Sequence, residues 1–265
     1  MSRIDIEFQT SDHVTLRGWL FKSDNAPTKL PCLVMCHGFS GLKEMDLGAF
    51  AERFVSSLQL VCLVYDNRGF GASDTGPNQP RQEILPWQQM SDISDAITYA
   101  QSRDDIDAEK IGIWGSSYSG GEVLWVGATD KRVKVVLSQQ PCVDGYENFQ
   151  RLIRGDVAVG VQELLVADRL ARARGELAGT MPVVSEDPTQ PAALPTSDSS
   201  AFFDKWQKKN DTLTPTDLAL EAYSRAREPK QLHILPGGHF DGYTGKNFDK
   251  NTSVQIEFLR EHLCS

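Results

Sequence analysis

Four near-continuous apolar runs constrain this chain most: "PCLVMCHG" (31–38), "LVCLVYD" (60–66), "KIGIWG" (110–115) and "VKVVLS" (133–138). A strand buried on one face alternates apolar and polar residues, whereas a strand covered on both faces is apolar throughout. The runs therefore predict a parallel sheet sandwiched between helices. Leu47, Phe50, Phe54 and Leu58, then Met90, Ile93, Ile97 and Ala100, recur at helical spacing between them. Alternating runs at 4–9 and 14–21 ("VTLRGWLF") predict an antiparallel pair ahead of this unit. The class is α/β, a doubly wound, mostly parallel sheet.

The length of 265 residues suits one large domain, or one domain with an insertion. From 140 to 206 the strand–helix rhythm stops. An arginine-rich helical stretch leads into "EDPTQPAALPTSDSS", which has no strand character. This segment is expected to be a helical lid inserted between the N-terminal core (1–139) and its C-terminal part (207–265). In the latter, "LTPTDLALEAYSRARE" predicts a helix with Thr214 as N-cap, Pro215 at its first position and Asp217 as the cap's partner. "KQLHILPGGH" predicts a further strand, and residues 252–263 a closing helix.

With 40% apolar and 24% charged residues, the composition is that of a globular protein, and no apolar run approaches the roughly 20 residues that span a bilayer. The net charge of −9 argues against phosphate backbones and anionic membranes as partners. Five cysteines, an odd number without metal-ligand spacing, read as small core residues in a reducing compartment. The N-terminal "MSRIDIEFQTSD" has no apolar stretch of the secretory kind, and "EHLCS" is no lipidation or peroxisomal signal, so a cytoplasmic location is expected. The glycines of "RGFGAS" lack dinucleotide-loop spacing. No metal and no cofactor is expected.

The chemistry centres on "IGIWGSSYSGGE" (111–122). A strand that turns sharply into a helix through small residues exposes the turn side chain above the sheet and aims backbone N–H groups at the same point. In the pattern small-x-nucleophile-x-small, Gly115, Ser117 and Ser119 fit, and Ser117 is the candidate nucleophile. Shifting the frame by two makes Ser119 the nucleophile, inside the first helical turn. The remaining alternative is a glycine–serine turn without chemistry.

A serine hydroxyl needs a base, and the base needs an acid to orient it. Of five histidines, His13, His233 and His262 read as structural or surface residues, and His37 as shaping a strand-end turn. His239, just past a strand and the Gly237–Gly238 turn, is the candidate base. Asp211, in the turn "NDTLTP", is the favoured acid and Asp187 the reserve; Asp217 serves the helix cap, and Asp241 follows the histidine. The backbone N–H groups of Phe39, in "HGFSG", and Tyr118 are the candidate oxyanion donors.

With "HGFSG", "YDNRGFGASD", "GSSYSGG", "NDTLTP" and "GGHFDGY" in this order, the chain resembles α/β-hydrolases over nearly its whole length. Within them, "SQQPCVDGYENFQRLIR" leading to "PVVSEDP" is similar to the fungal polyketide transferase and thiohydrolase group of secondary-metabolite clusters. The resemblance implies acyl transfer to water or an alcohol from a polyketide ester or thioester, in secondary-metabolite or toxin biosynthesis, with Ser117, Asp211 and His239 in the triad positions.

One departure stands out. In that fold a strand delivers the acid, yet "SSAFFDKWQKKND" before Asp211 has no apolar or β-branched run. Either "TMPVV" or another segment fills the gap, or the chain is a shortened form of a longer parent. A non-catalytic binding remnant is therefore one rival reading, and a serine peptidase with the same elbow another. The lid arginines, Arg151, Arg154, Arg169, Arg172 and Arg174, read either as a solvated helix face or as a docking surface for an acyl-carrier protein or an acidic acyl donor.

Overall fold

In the computed structural model, residues 1–24, 29–153, 155–185, 187, 190–203 and 216–265 are described. β1 (Ser2–Gln9) and β2 (Thr15–Lys22) form the predicted antiparallel pair, and β2 docks antiparallel on β4 (Val61–Tyr65). From there β4, β3 (Leu30–Cys36), β5 (Ile106–Ser116) and β6 (Val133–Gln139) run parallel, giving one six-stranded sheet of order β1-β2-β4-β3-β5-β6. The four apolar runs are the four parallel strands.

Their uninterrupted hydrophobicity has the expected cause. Along β3, Leu33 and Met35 join one apolar cluster with Phe50 and Phe54 of α1 (Leu47–Ser57) and Ile256 and Leu259 of α8 (Gly245–His262). Cys32, Val34 and Cys36 join a second cluster on the opposite face, with Ile93 and Ile97 of α2 (Pro86–Gln101) and Val123 and Val126 of α3 (Tyr118–Thr129). Each large side chain so buried contributes about 1.5–3 kcal/mol. Cys32, Cys36 and Cys62 are buried thiols, packed as core residues.

Between β6 and α8 the chain forms α4 (Gly145–Leu152), α5 (Gly155–Ala173), α6 (Ser197–Phe203) and α7 (Thr216–Arg225), followed by a 3-10 turn at Asp241–Tyr243. The cap proposed at Thr214 and Pro215 lies outside the described residues, as does Arg154. No helix among the described residues is long and apolar enough to cross a membrane.

Three expectations are corrected. Residues 231–235 form no strand, and Leu232 and Ile234 are 39% and 61% exposed. A strand exists by pairing, and among the described residues the sheet ends at β6, so "KQLHIL" has no neighbour to pair with. Nor does "TMPVV" fill the gap. Pro182 and Val183 accept backbone bonds from Ala193 and Leu194, and Val183 and Val184 pack against the first cluster outside the sheet. The closing helix, expected over 252–263, begins at Gly245.

A buried carboxylate ties the loops at the strand ends together. Asp66, which follows β4, accepts hydrogen bonds from the backbone N–H of Lys43 (2.9 Å), from Lys43 Nζ (2.6 Å) and from the Ala72 N–H (3.0 Å). Arg68 pairs through two nitrogens with Asp92 on α2 and through two with Asp12. The motif "YDNRGFGASD" is thus a brace that holds the "HGFSGLK" turn beside the ends of β3 and β5.

Candidate active site

Ser117 occupies the junction of β5 and α3 with φ 60° and ψ −118°. Such a backbone costs a residue with a Cβ about 1–3 kcal/mol, and it persists only where the surroundings impose it. Here the Ser117 N–H donates to the Gln139 carbonyl (2.8 Å), while its own carbonyl accepts from Gly121 (3.3 Å) and Cys142 (2.9 Å). The glycines around it are explained by contact. A Cβ on Gly115 would lie 2.2 Å from the Ser119 carbonyl oxygen, and one on Gly121 would lie 2.0 Å from that of Cys142.

The "HGFSG" turn lies against this elbow: a Cβ on Gly38 would be 3.0 Å from Ser117 Cβ and 3.6 Å from its Oγ. The rings of Phe39 and Tyr118 meet edge to face at 6.0 Å. The structure thus brings together Ser117, Phe39 and Tyr118. Tyr118 is the first residue of α3, so its N–H has no acceptor within the helix and belongs to the positive end of the helix dipole. The Ser117 side is half-buried, and its hydroxyl makes no hydrogen bond to another described residue.

Ser119 has another role. It is buried, and its Oγ contacts the His37 carbonyl and, at 2.9 Å, Glu122 Oε2. His37 shapes its turn as expected: its Nε2 accepts from the Asn67 N–H (3.0 Å), which puts the ring proton on Nδ1, 3.0 Å from the Gly38 carbonyl. Burial pushes the His37 pKa down.

His239 is 5% exposed, and burial drives its pKa down to about 3, so the ring is neutral above that. It meets Phe240 edge to face at 4.9 Å, and Phe240 stacks at 4.0 Å on Phe202 of α6. Its loop is shaped by Gly237, at φ 119°, and by Asp241, whose Oδ2 accepts the Gly238 N–H at 2.9 Å. Among the described residues no hydrogen bond joins His239 to Ser117 Oγ. Asp211 lies outside the described residues, and Asp187 is exposed in a loop whose carbonyl accepts from the Ser185 hydroxyl.

The elbow and the histidine loop are instead joined beneath the site by polar residues that the sequence reading missed. The Ser116 hydroxyl contacts the Tyr243 hydroxyl and accepts from Gln139 Nε2 at 3.2 Å. Gln139 Oε1 accepts from Asn251 (2.6 Å) and Gln255 (3.2 Å) of α8, and Gln255 accepts from the Trp114 indole (2.8 Å). Asn251 also donates to the Gly242 carbonyl at 3.1 Å, and Gln140 Nε2 to that of Gly238 at 3.4 Å. The available signal was spacing: Asn251, Gln255 and Leu259 recur every fourth residue, which puts two amides on the buried helix face.

Three of the arginines between residues 140 and 206 are paired: Arg151 lies 3.6 Å from Glu147, Arg172 3.0 Å from Glu83, and Arg174 2.7 Å from Glu176.

Residues 31–210 match the family model described as alpha/beta hydrolase fold. The chain is 30% identical to "Polyketide transferase grgF" of Penicillium sp, over all of this chain and 98% of that protein. That alignment spans 302 positions against 265 residues here, so at least 37 positions of the relative have no counterpart. It is also 30% identical to "Quorum-quenching protein AidA" of Acinetobacter baumannii (strain MDR-ZJ06), over 97% of this chain and 94% of that one. Among solved structures, that of the alpha/beta hydrolase GrgF from Penicillium sp. sh18 superimposes with a TM-score of 0.78 at 28% identity, covering all of both chains. With an elbow between a parallel strand and a helix, a matching family model and full-length relatives, this chain belongs to the alpha/beta hydrolase fold family.

Proposed function

We propose that the protein is a serine-dependent acyl hydrolase or acyltransferase. Ser117 attacks the carbonyl carbon of an ester or thioester, its proton passes to His239, and an acyl-enzyme forms as the alcohol or thiol leaves. Water or an alcohol then takes the acyl group, and His239 returns the proton. The N–H groups of Phe39 and Tyr118 stabilise the oxyanion; losing one such donor costs roughly 2.7–4 kcal/mol of transition-state stabilisation. Asp211 orients the base, and residues 140–206 act as the lid that controls access of water. By similarity to the polyketide transferase, the acyl group is of the polyketide type, in secondary metabolism.

One observation carries this reading: Ser117 is held at φ 60° in a strand-to-helix elbow with the Gly38–Phe39 turn beside its Oγ. An inactive remnant is the second reading, favoured by the sheet's ending, among the described residues, at β6. Intact mass after fluorophosphonate treatment separates them. Acyl-enzyme chemistry requires one adduct, lost in Ser117→Ala, kept in Ser119→Ala and slowed in Asp211→Asn. A folded wild type that takes no adduct makes the protein a remnant.

A further inference from the structure

Glu122 lies on α3 just beyond the elbow, 5% exposed, and the chemistry above makes no use of it. Its Oε2 is 2.9 Å from Ser119 Oγ, and the same Oγ contacts the His37 carbonyl oxygen. A serine hydroxyl has one proton, and a backbone carbonyl can only accept. If Ser119 donates to His37, Glu122 must donate to Ser119, which requires the carboxyl to be protonated. Its other oxygen, Oε1, is buried and makes no well-formed hydrogen bond, with the equally unsatisfied Tyr118 hydroxyl as the donor beside it. A neutral acid tolerates that at far lower cost than an ionised carboxylate would.

The surroundings agree. Burial pushes the Glu122 pKa up to about 8. The ionisable groups that face it are Tyr118 on α3, Asp92 on α2, Cys36 on β3 and Tyr65 at the end of β4. Asp92, held by Arg68, is raised by burial to about 6. Burial drives Tyr118, Cys36 and Tyr65 above the ordinary range of tyrosines and thiols. Of these five groups, Glu122 alone has its midpoint between that of Asp92 and those of the tyrosines and the thiol.

We propose that Glu122 is a positioning residue: as a neutral acid it donates to Ser119, Ser119 donates to the His37 carbonyl, and this relay holds the Gly38–Phe39 turn with the Phe39 N–H facing an acyl oxygen on Ser117. When Glu122 ionises, Ser119 turns its proton to the carboxylate, the His37 carbonyl loses its donor, and the turn relaxes from the elbow. The functional sense of this relay rests on the acyl-enzyme reading of Ser117, but the relay itself can be read without turnover.

The test is an NMR pH titration of 15N-phenylalanine-labelled protein, with the Phe39 amide assigned by Phe39→Leu, alongside the rate of fluorophosphonate labelling. In the wild type the Phe39 resonance moves with a midpoint near 8, the value for Glu122, and the labelling rate falls with it. In Glu122→Gln, whose amide still donates, the Phe39 resonance shows no such step. Ser119→Ala, which cuts the relay and leaves Glu122 in place, abolishes the step as well and serves if the glutamine variant does not fold. A Phe39 resonance that ignores pH, or one that titrates alike in wild type and variants, overturns the inference. If Phe39 follows Glu122 while Ser117 never labels, the acyl-enzyme reading fails and the relay stands; normal labelling with a static Phe39 removes the relay alone.

Discussion

The Ser116 hydroxyl is hydrogen-bonded to the hydroxyl of Tyr243, 127 residues away in sequence. Ser116 precedes the candidate nucleophile and Tyr243 follows the candidate base by four residues, so this contact links the two halves of the site. It is buried, with Gln139 Nε2 as the second partner of Ser116 at 3.2 Å. Tyr243→Phe leaves the packing intact and removes one buried bond. The expected loss is about 1–3 kcal/mol in urea unfolding, together with slower labelling of Ser117. Unchanged stability and unchanged labelling would show that the contact positions nothing.

Gly38 tests the oxyanion turn. A Cβ there would lie 2.9 Å from the Ser116 carbonyl oxygen and 3.0 Å from Ser117 Cβ, so the turn must retreat from the elbow. Gly38→Ala is expected to slow acylation about 100-fold or more, the cost of one misplaced donor, while circular dichroism stays native. A rate within a few-fold of wild type would place the oxyanion donor elsewhere.

The acid limb of the labelling rate reports the base. Burial lowers the His239 pKa from 6.5 to about 3, so the imidazole stays able to accept a proton well below pH 6.5. The limb is expected nearer 3 than 6.5. A midpoint at or above 6.5 would mean that the carboxylate of Asp211, proposed to orient the ring, outweighs the burial.

Stability should depend on pH through Glu122 with the opposite sign. The unfolded chain loses this proton near 4.5 and the native state near 8, so stability present below 4.5 is lost as pH rises through that window. His239 destabilises the fold as pH falls from 6.5 towards 3, because only the unfolded state takes up its proton, so the two slopes oppose each other between 4.5 and 6.5. From 6.5 to 8 only Glu122 of this pair contributes, at up to about 1.4 kcal/mol per pH unit. Urea midpoints should fall over that interval in the wild type and flatten in Glu122→Gln; equal slopes would show that Glu122 is already ionised.

Asp66 takes three donors, and removing its carboxylate leaves the buried Lys43 ammonium with Glu44 at 2.8 Å and the Trp19 ring at 4.9 Å. Asp66→Ala should cost about 3–5 kcal/mol in urea unfolding, the usual consequence of halving a buried pair. A loss under about 1 kcal/mol would contradict its role as the brace of the "HGFSGLK" turn.

The sheet was legible because burial on both faces leaves only apolar residues in a strand. β3, β4, β5 and β6 could therefore be read with helices between them, and the elbow from Gly115 to Ser119. The segment "KQLHIL" has the same local character and no strand formed among the described residues, because a strand depends on a neighbour that local composition cannot supply. The lack of an apolar or β-branched run in "SSAFFDKWQKKND" was visible; its consequence for the next segment was not.

Local sequence by itself determined the α/β class, the place of the turn that carries Ser117 and the order of the candidate site residues, because periodicity and turn chemistry act over a few residues. Only the tertiary structure decided that Ser119 faces His37 and Glu122, that His239 is buried against Phe240, and that Trp114, Ser116, Gln139, Tyr243, Asn251 and Gln255 form one network. Those contacts join residues from one turn to more than a hundred positions apart. Their partners are chosen by packing, which gives most buried polar groups a partner wherever the fold brings one within reach.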